Sequence, residues 1–75
     1  MEEKLLKILA DIDEELLTYT GNNMLEDGLV NSLTFITMVS EIEDTFDLDL
    51  DPSLLEEEYF GNKDRIIKTL KELLA

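Results

Sequence analysis

The sequence predicts an all-α domain, a four-helix bundle of three long helices and one short one. Three observations predict it. Apolar residues recur at the three-and-four spacing of a helix face in three separate stretches. Clusters of Gly, Asn and Pro, the residues that punctuate turns, separate those stretches. The chain has 75 residues, which suits one domain with one core and leaves little volume for a buried site beside it.

The first helix is expected over Glu2 to Leu17, with Leu5, Ile8, Leu9, Ile12 and Leu16 on one stripe. Thr18 to Asn31 then holds Gly21, the Asn22–Asn23 pair and Gly28, which read as a long connection. Met24, Leu25 and Leu29 are the residues expected to tie it to the core. A second helix is expected from Ser32 to Phe46, with Asn31 offering a side-chain oxygen to the free amides of its first turn. Asp51-Pro52-Ser53 breaks the chain, because proline fixes φ and restricts its predecessor. Leu54 to Phe60 has room for one or two turns of a short helix, which Gly61 and Asn62 end. Asn62 can also cap the last helix, Lys63 to Leu74, whose expected buried stripe is Ile66, Ile67, Leu70, Leu73 and Leu74.

Hydrophobic residues make up 44% of the chain, and their periodicity argues for a folded domain despite the heavy charge. Nineteen acids against six bases give a net charge of −13. That charge repels nucleic acid and anionic membranes and favours basic partners. All six bases lie near the ends, so that Ile8 to Asn62 carries fifteen acids and no base. Such a surface serves either solubility or docking to a basic partner, and composition does not choose between them. No apolar run is long enough to cross a bilayer, and the acids within Met1 to Ala10 argue against a signal peptide. The expectation is a soluble, cytoplasmic monomer. The chain has no His and no Cys. It therefore lacks the usual neutral-pH acid or base, a thiol nucleophile, the standard zinc ligands and any disulfide framework. No catalytic and no metal-ligating residues are assigned.

The second helix has two apolar faces. With Phe35 at the origin of a helical wheel, Met38, Val39, Ile42 and Phe46 fall within roughly 60° of it, an ordinary core stripe. Leu33 and Ile36 sit about 100° to 160° away, on the side that carries Ser40. Ser32 starts the helix on the same flank, with Glu43 and Asp44 further along. A serine at a helix start is by itself an ordinary cap. A helix N-terminus also presents free amides and the positive end of the dipole, which suits a phosphate attached there.

The segment Asp27-Gly28-Leu29-Val30-Asn31-Ser32-Leu33 resembles the attachment motif of the acyl carrier protein family, in which a helix-starting Asp-Ser-Leu carries 4′-phosphopantetheine on its serine. The likeness continues through the apolar pattern of Leu33 to Phe46, its Glu43-Asp44-Thr45-Phe46 ending, and the extended Asp47-Leu48-Asp49-Leu50-Asp51-Pro52 stretch. It covers roughly residues 1–74, is strongest over 26–60, and is compatible with the family's four-helix bundle. The Gly28-Leu29-Val30 spacing looks more like stand-alone D-alanyl or secondary-pathway carriers than the fatty-acid synthase type. The resemblance implies a carrier rather than an enzyme. Ser32 would bear the covalent 4′-phosphopantetheine, and Asn31, Leu33, Ile36, Ser40, Glu43 and Asp44 would face partners. Those partners would be a phosphopantetheinyl transferase, an acyl or aminoacyl ligase, and downstream acyl-transfer enzymes with basic docking surfaces.

Two positions depart from the family's pattern. Asn31 stands where an aspartate is usual, which keeps the capping oxygen and loses a charge that a transferase arginine would meet. Thr34 and Thr37 stand where fatty-acid carriers tend to have acids. Slower modification, or a selective transferase, is expected from the first.

Two other classes compete with the carrier reading. Asp47, Asp49, Asp51 and Glu58 fall at positions 1, 3, 5 and 12 of a calcium-loop pattern. Position 6 of that loop needs the sharp turn glycine provides, and here it is Pro52. The alternative kept beside the carrier is an acidic helical adaptor that binds a basic partner and has lost the cofactor.

Overall fold

The computed structural model describes residues 1–75 and contains α-helices, 3₁₀ turns and no strand. Helix α1 spans Glu2–Ile12, α2 Ser32–Phe46, α3 Glu57–Phe60 and α4 Lys63–Leu74. Three of the four are long and one is a single turn, as the periodicity predicts. Short 3₁₀ turns at Glu14–Leu17 and Pro52–Leu54 follow α1 and precede α3. The radius of gyration is 11.0 Å, close to the ~11 Å of a folded domain of this length.

The core explains the packing. Fourteen apolar side chains form one cluster drawn from every long helix and from the connections. Leu5, Ile8 and Leu9 of α1 meet Phe35, Met38, Val39 and Ile42 of α2, while Ile66 and Leu70 close it from α4. Phe60 of α3 places its ring edge-on to Phe35, with centroids 6.3 Å apart and planes at 75°, a favoured aromatic geometry. Met24 is buried as expected, and Leu25 and Leu29 pack half-buried against the core. Val30 and Leu50, which no periodic stripe contains, are buried too.

Two boundaries and one expected buried stripe differ from the sequence reading. The first helix stops at Ile12 rather than running to Leu17, because Asp13 adopts an extended conformation and its carboxylate accepts the Glu15 amide at 2.9 Å. A short acidic side chain competes in this way for backbone donors. Leu16 still reaches the core, carried there by the 3₁₀ turn. The expected single helix over Leu54 to Phe60 is split. Asp51 accepts the Ser53 amide at 2.9 Å and Pro52 occupies the first position of a 3₁₀ turn, so proline starts a helical turn here as well as ending the extended segment. The chain extends again at Glu56 before α3 begins.

The third difference is in α4. Ile66 and Leu70 are buried and Ile67 is half-buried, but Leu73 and Leu74 are each 42% exposed. The last turn of α4 faces the start of α1 across an open concavity lined by Met1 to Lys4, Lys71, Leu74 and Ala75. Thr69 takes a buried place in the stripe, its hydroxyl 2.8 Å from the Arg65 carbonyl and 3.1 Å from that of Tyr59. It thereby ties α4 to α3.

Candidate functional site

The residues singled out in the sequence lie along α2 from its cap at Asn31, and the connection before the helix decides how Ser32 is presented. That connection is built around Tyr19. Its hydroxyl donates to the Asp27 carboxylate and accepts the Asn23 amide at 3.0 Å. Partial burial of the phenol, followed by the adjacent Asp27 carboxylate, pushes its pKa up. Gly21 lies where any Cβ would collide with the Tyr19 ring and the Asp27 carboxylate. The Asn23 side chain accepts the amides of Leu25 and Glu26, opening a tight turn that closes with the Gly28 amide on the Leu25 carbonyl. Gly28 sits at φ +78°, a conformation that favours glycine. From there the Met24 carbonyl accepts the amides of both Leu29 and Val30, at 3.0 and 3.2 Å. Val30 is buried, and the next two residues emerge at the surface.

Asn31 caps α2 as its residue type predicts. Its side-chain oxygen accepts the Thr34 amide at 2.8 Å while its carbonyl accepts that of Phe35 at 2.9 Å. The amides of Ser32 and Leu33 are left without a partner in the protein. Ser32 is exposed at the first helical position. Leu33 is 74% and Ile36 60% exposed, the two most exposed large apolar side chains in the molecule. Ser40 and Asp44 continue this surface down the helix, both exposed. The structure thus brings Asn31, Ser32, Leu33, Ile36, Ser40 and Asp44 onto one exposed side of one helix.

Glu43 stands apart from that set. It is half-buried, and its carboxylate accepts the Leu50 amide at 2.8 Å. This bond folds the segment after α2 back so that Leu50 enters the core. Glu43 therefore has a structural task that the helical wheel does not reveal. The helix ends at Asp47, the one non-glycine residue with positive φ, at 54°. The acidic run beyond it does not gather into a ligand set: no three carboxylates come together at metal-binding separation, and the Asp51 carboxylate accepts the Ser53 amide.

A phosphodiester on Ser32 is compatible with this geometry. The hydroxyl position is open to solvent, two unpartnered amides and the helix dipole lie beside it, and no side chain occludes it. The surface concavities lie elsewhere, between the chain ends, along α4 and between α1 and α2, and none is lined by Ser32, Leu33 or Ile36. The core behind α2 is closed, with Met38 and Ile42 fully buried.

No helix is long and apolar enough to cross a membrane. The Tyr19 clamp and the contacts of Arg65 with Asn22 and Glu57 have no counterpart in any sequence motif. They join residues that no periodicity relates. Comparison with protein-family models, with curated proteins and with solved structures gave no match.

Proposed function

We propose that this chain is an acyl or aminoacyl carrier protein that bears 4′-phosphopantetheine on Ser32. One observation carries the reading: an exposed serine opens α2 beside two unpartnered amides, with Leu33 and Ile36 left in solvent next to it. Apolar side chains held at 74% and 60% exposure beside one another on a helix suit contact with another protein. When attached, the arm supplies a thiol that holds the cargo as a thioester. The protein's own residues position the attachment oxygen, offer amides to the phosphate, and present Leu33, Ile36, Ser40 and Asp44 to partner enzymes. Glu43 is left out of that surface because Leu50 already occupies it. A separate transferase would activate the Ser32 hydroxyl, which accords with a chain that has no histidine to act as its base. The bundle would on this reading be of the acyl carrier type.

The test is the intact mass after incubation with coenzyme A, magnesium and a broad-specificity phosphopantetheinyl transferase. We expect a single phosphopantetheine increment on the wild type and none on Ser32→Ala. Asn31 keeps the capping oxygen without the charge, so Asn31→Asp should speed modification while preserving the cap. If neither the wild type nor Asn31→Asp gains the increment, the carrier reading is lost. The acidic adaptor, a helical domain binding a basic partner without any cofactor, then replaces it.

A further inference from the structure

Arg65 is unusual in this molecule. In a chain with nineteen acids, the ion pairs are Lys63–Asp64 and Lys71–Glu2, and neither involves Arg65. Its guanidinium is directed instead at uncharged oxygens. Nη1 donates to the Asn22 carbonyl at 3.2 Å and to the Glu57 carbonyl at 3.0 Å, and Nη2 reaches the Asn22 side-chain oxygen at 3.3 Å. A rigid planar fork can hold several acceptors at once, which a point charge does poorly. Around it the same junction is sewn by the Asn62 amide nitrogen on the Gly21 carbonyl, 2.9 Å, and the Met24 amide on the Gly61 carbonyl, 3.0 Å. Gly61 leaves room for this approach, since a Cβ there would strike the Asn22 carbonyl.

We propose that Arg65 is a positioning residue for Ser32. The path is continuous. Arg65 holds Asn22 against α3, Met24 is anchored two residues on, the Met24 carbonyl holds Leu29 and Val30, and Val30 is two residues from Ser32. The corner between α3 and α4 thus fixes the connection that presents the serine, across more than forty residues of sequence. The effect on Ser32 modification rests on the carrier reading above. The effect on the connection does not.

The experiment compares wild type, Arg65→Ala and Arg65→Lys by amide hydrogen exchange and by steady-state kinetics of the transferase reaction. In Arg65→Ala the amides of Met24, Leu29 and Val30 should exchange about tenfold faster, with Leu9 and Met38 in the core little changed. The transferase KM for the protein should rise by a similar factor at unchanged kcat, because a smaller fraction of molecules presents the serine correctly. Arg65→Lys keeps the charge and loses the fork, so it should fall between the other two. Should Arg65→Ala fail to fold, Asn22→Ala removes only the side-chain contact and should show the same pattern, about threefold. Equal acceleration of core and connection, or an Arg65→Lys variant indistinguishable from wild type, would overturn the proposal. A wild type that accepts no phosphopantetheine removes the carrier reading alone, and the exchange pattern still decides whether Arg65 holds the connection.

Discussion

Two residues hold conformations or contacts that their chemistry makes costly or pH-sensitive. Asp47 ends α2 in the left-handed region at φ 54°, where a Cβ is disfavoured, and it adds negative charge at the negative end of the helix. Glycine is the usual residue at such a position. Relief of the left-handed strain, offset in part by the greater freedom glycine gives the unfolded chain, should make Asp47→Gly neutral to stabilising by up to about 1 kcal/mol in denaturant melts. A loss of stability would mean that the Asp47 carboxylate makes a contribution its geometry does not suggest. Tyr19 is the second case. Burial and the Asp27 carboxylate raise its pKa above the ordinary tyrosine value. A raised folded-state pKa means that the stabilisation is fully present below the unfolded value, near pH 10, and is lost as pH rises through the folded one. The ultraviolet titration of wild type minus that of Tyr19→Phe should thus show a midpoint above 10. A midpoint at or below that value would mean that Asp27 does not hold the Tyr19 hydroxyl in solution.

The elements show how far periodicity can be trusted. In α2 the expected and observed spans coincide, because Asn31 caps its start and its stripe faces a complete core. In α1 the apolar period continues through Leu16, yet Asp13 diverts the backbone into a 3₁₀ turn. A wheel reports which face is apolar but not whether a side chain has captured a backbone donor. In α4 the stripe extends beyond its partners. Leu70 is fully buried and Leu74 is 42% exposed, although the sequence presents them alike. Leu70→Ala should cost about 2–5 kcal/mol and Leu74→Ala about 0.5 kcal/mol or less, read from paired urea melts. Similar losses at both positions would mean that the last turn of α4 is packed after all. The site divides in the same way. Ser32, Leu33 and Ile36 were legible as an apolar shoulder outside the core stripe, whereas the diversion of Glu43 to Leu50 depends on where the following segment returns.

At the scale of the whole molecule, charge and size set the balance. A net charge of −13 on a body measuring 30 × 24 × 20 Å places many like charges within a few Debye lengths of one another. The melting temperature should rise when magnesium or salt is added to a low-salt buffer, and an unchanged value would show that self-repulsion is negligible. Acid acts on specific pairs as well. The Lys71 ammonium 2.9 Å from Glu2 holds that carboxyl below its ordinary pKa, and the Ser53 amide does the same for Asp51. With folded values depressed, both contributions are present above the unfolded pKa and fade as pH falls through the folded one. The Glu2 pair is exposed, so salt should weaken it. The all-helical class, the core stripes of α1, α2 and the first turns of α4, both asparagine caps and the exposed apolar shoulder beside Ser32 are written in the sequence alone. Each of these follows from local chemistry or from a period of a few residues, which neighbouring positions encode between them. That Arg65 grips Asn22, that Gly61 admits a passing backbone, that Tyr19 clamps the connection before Ser32, and that Leu73 and Leu74 stay in solvent are set by the packing of the whole chain. Those outcomes depend on which distant segments come to lie side by side, and a helical period carries no record of its neighbours.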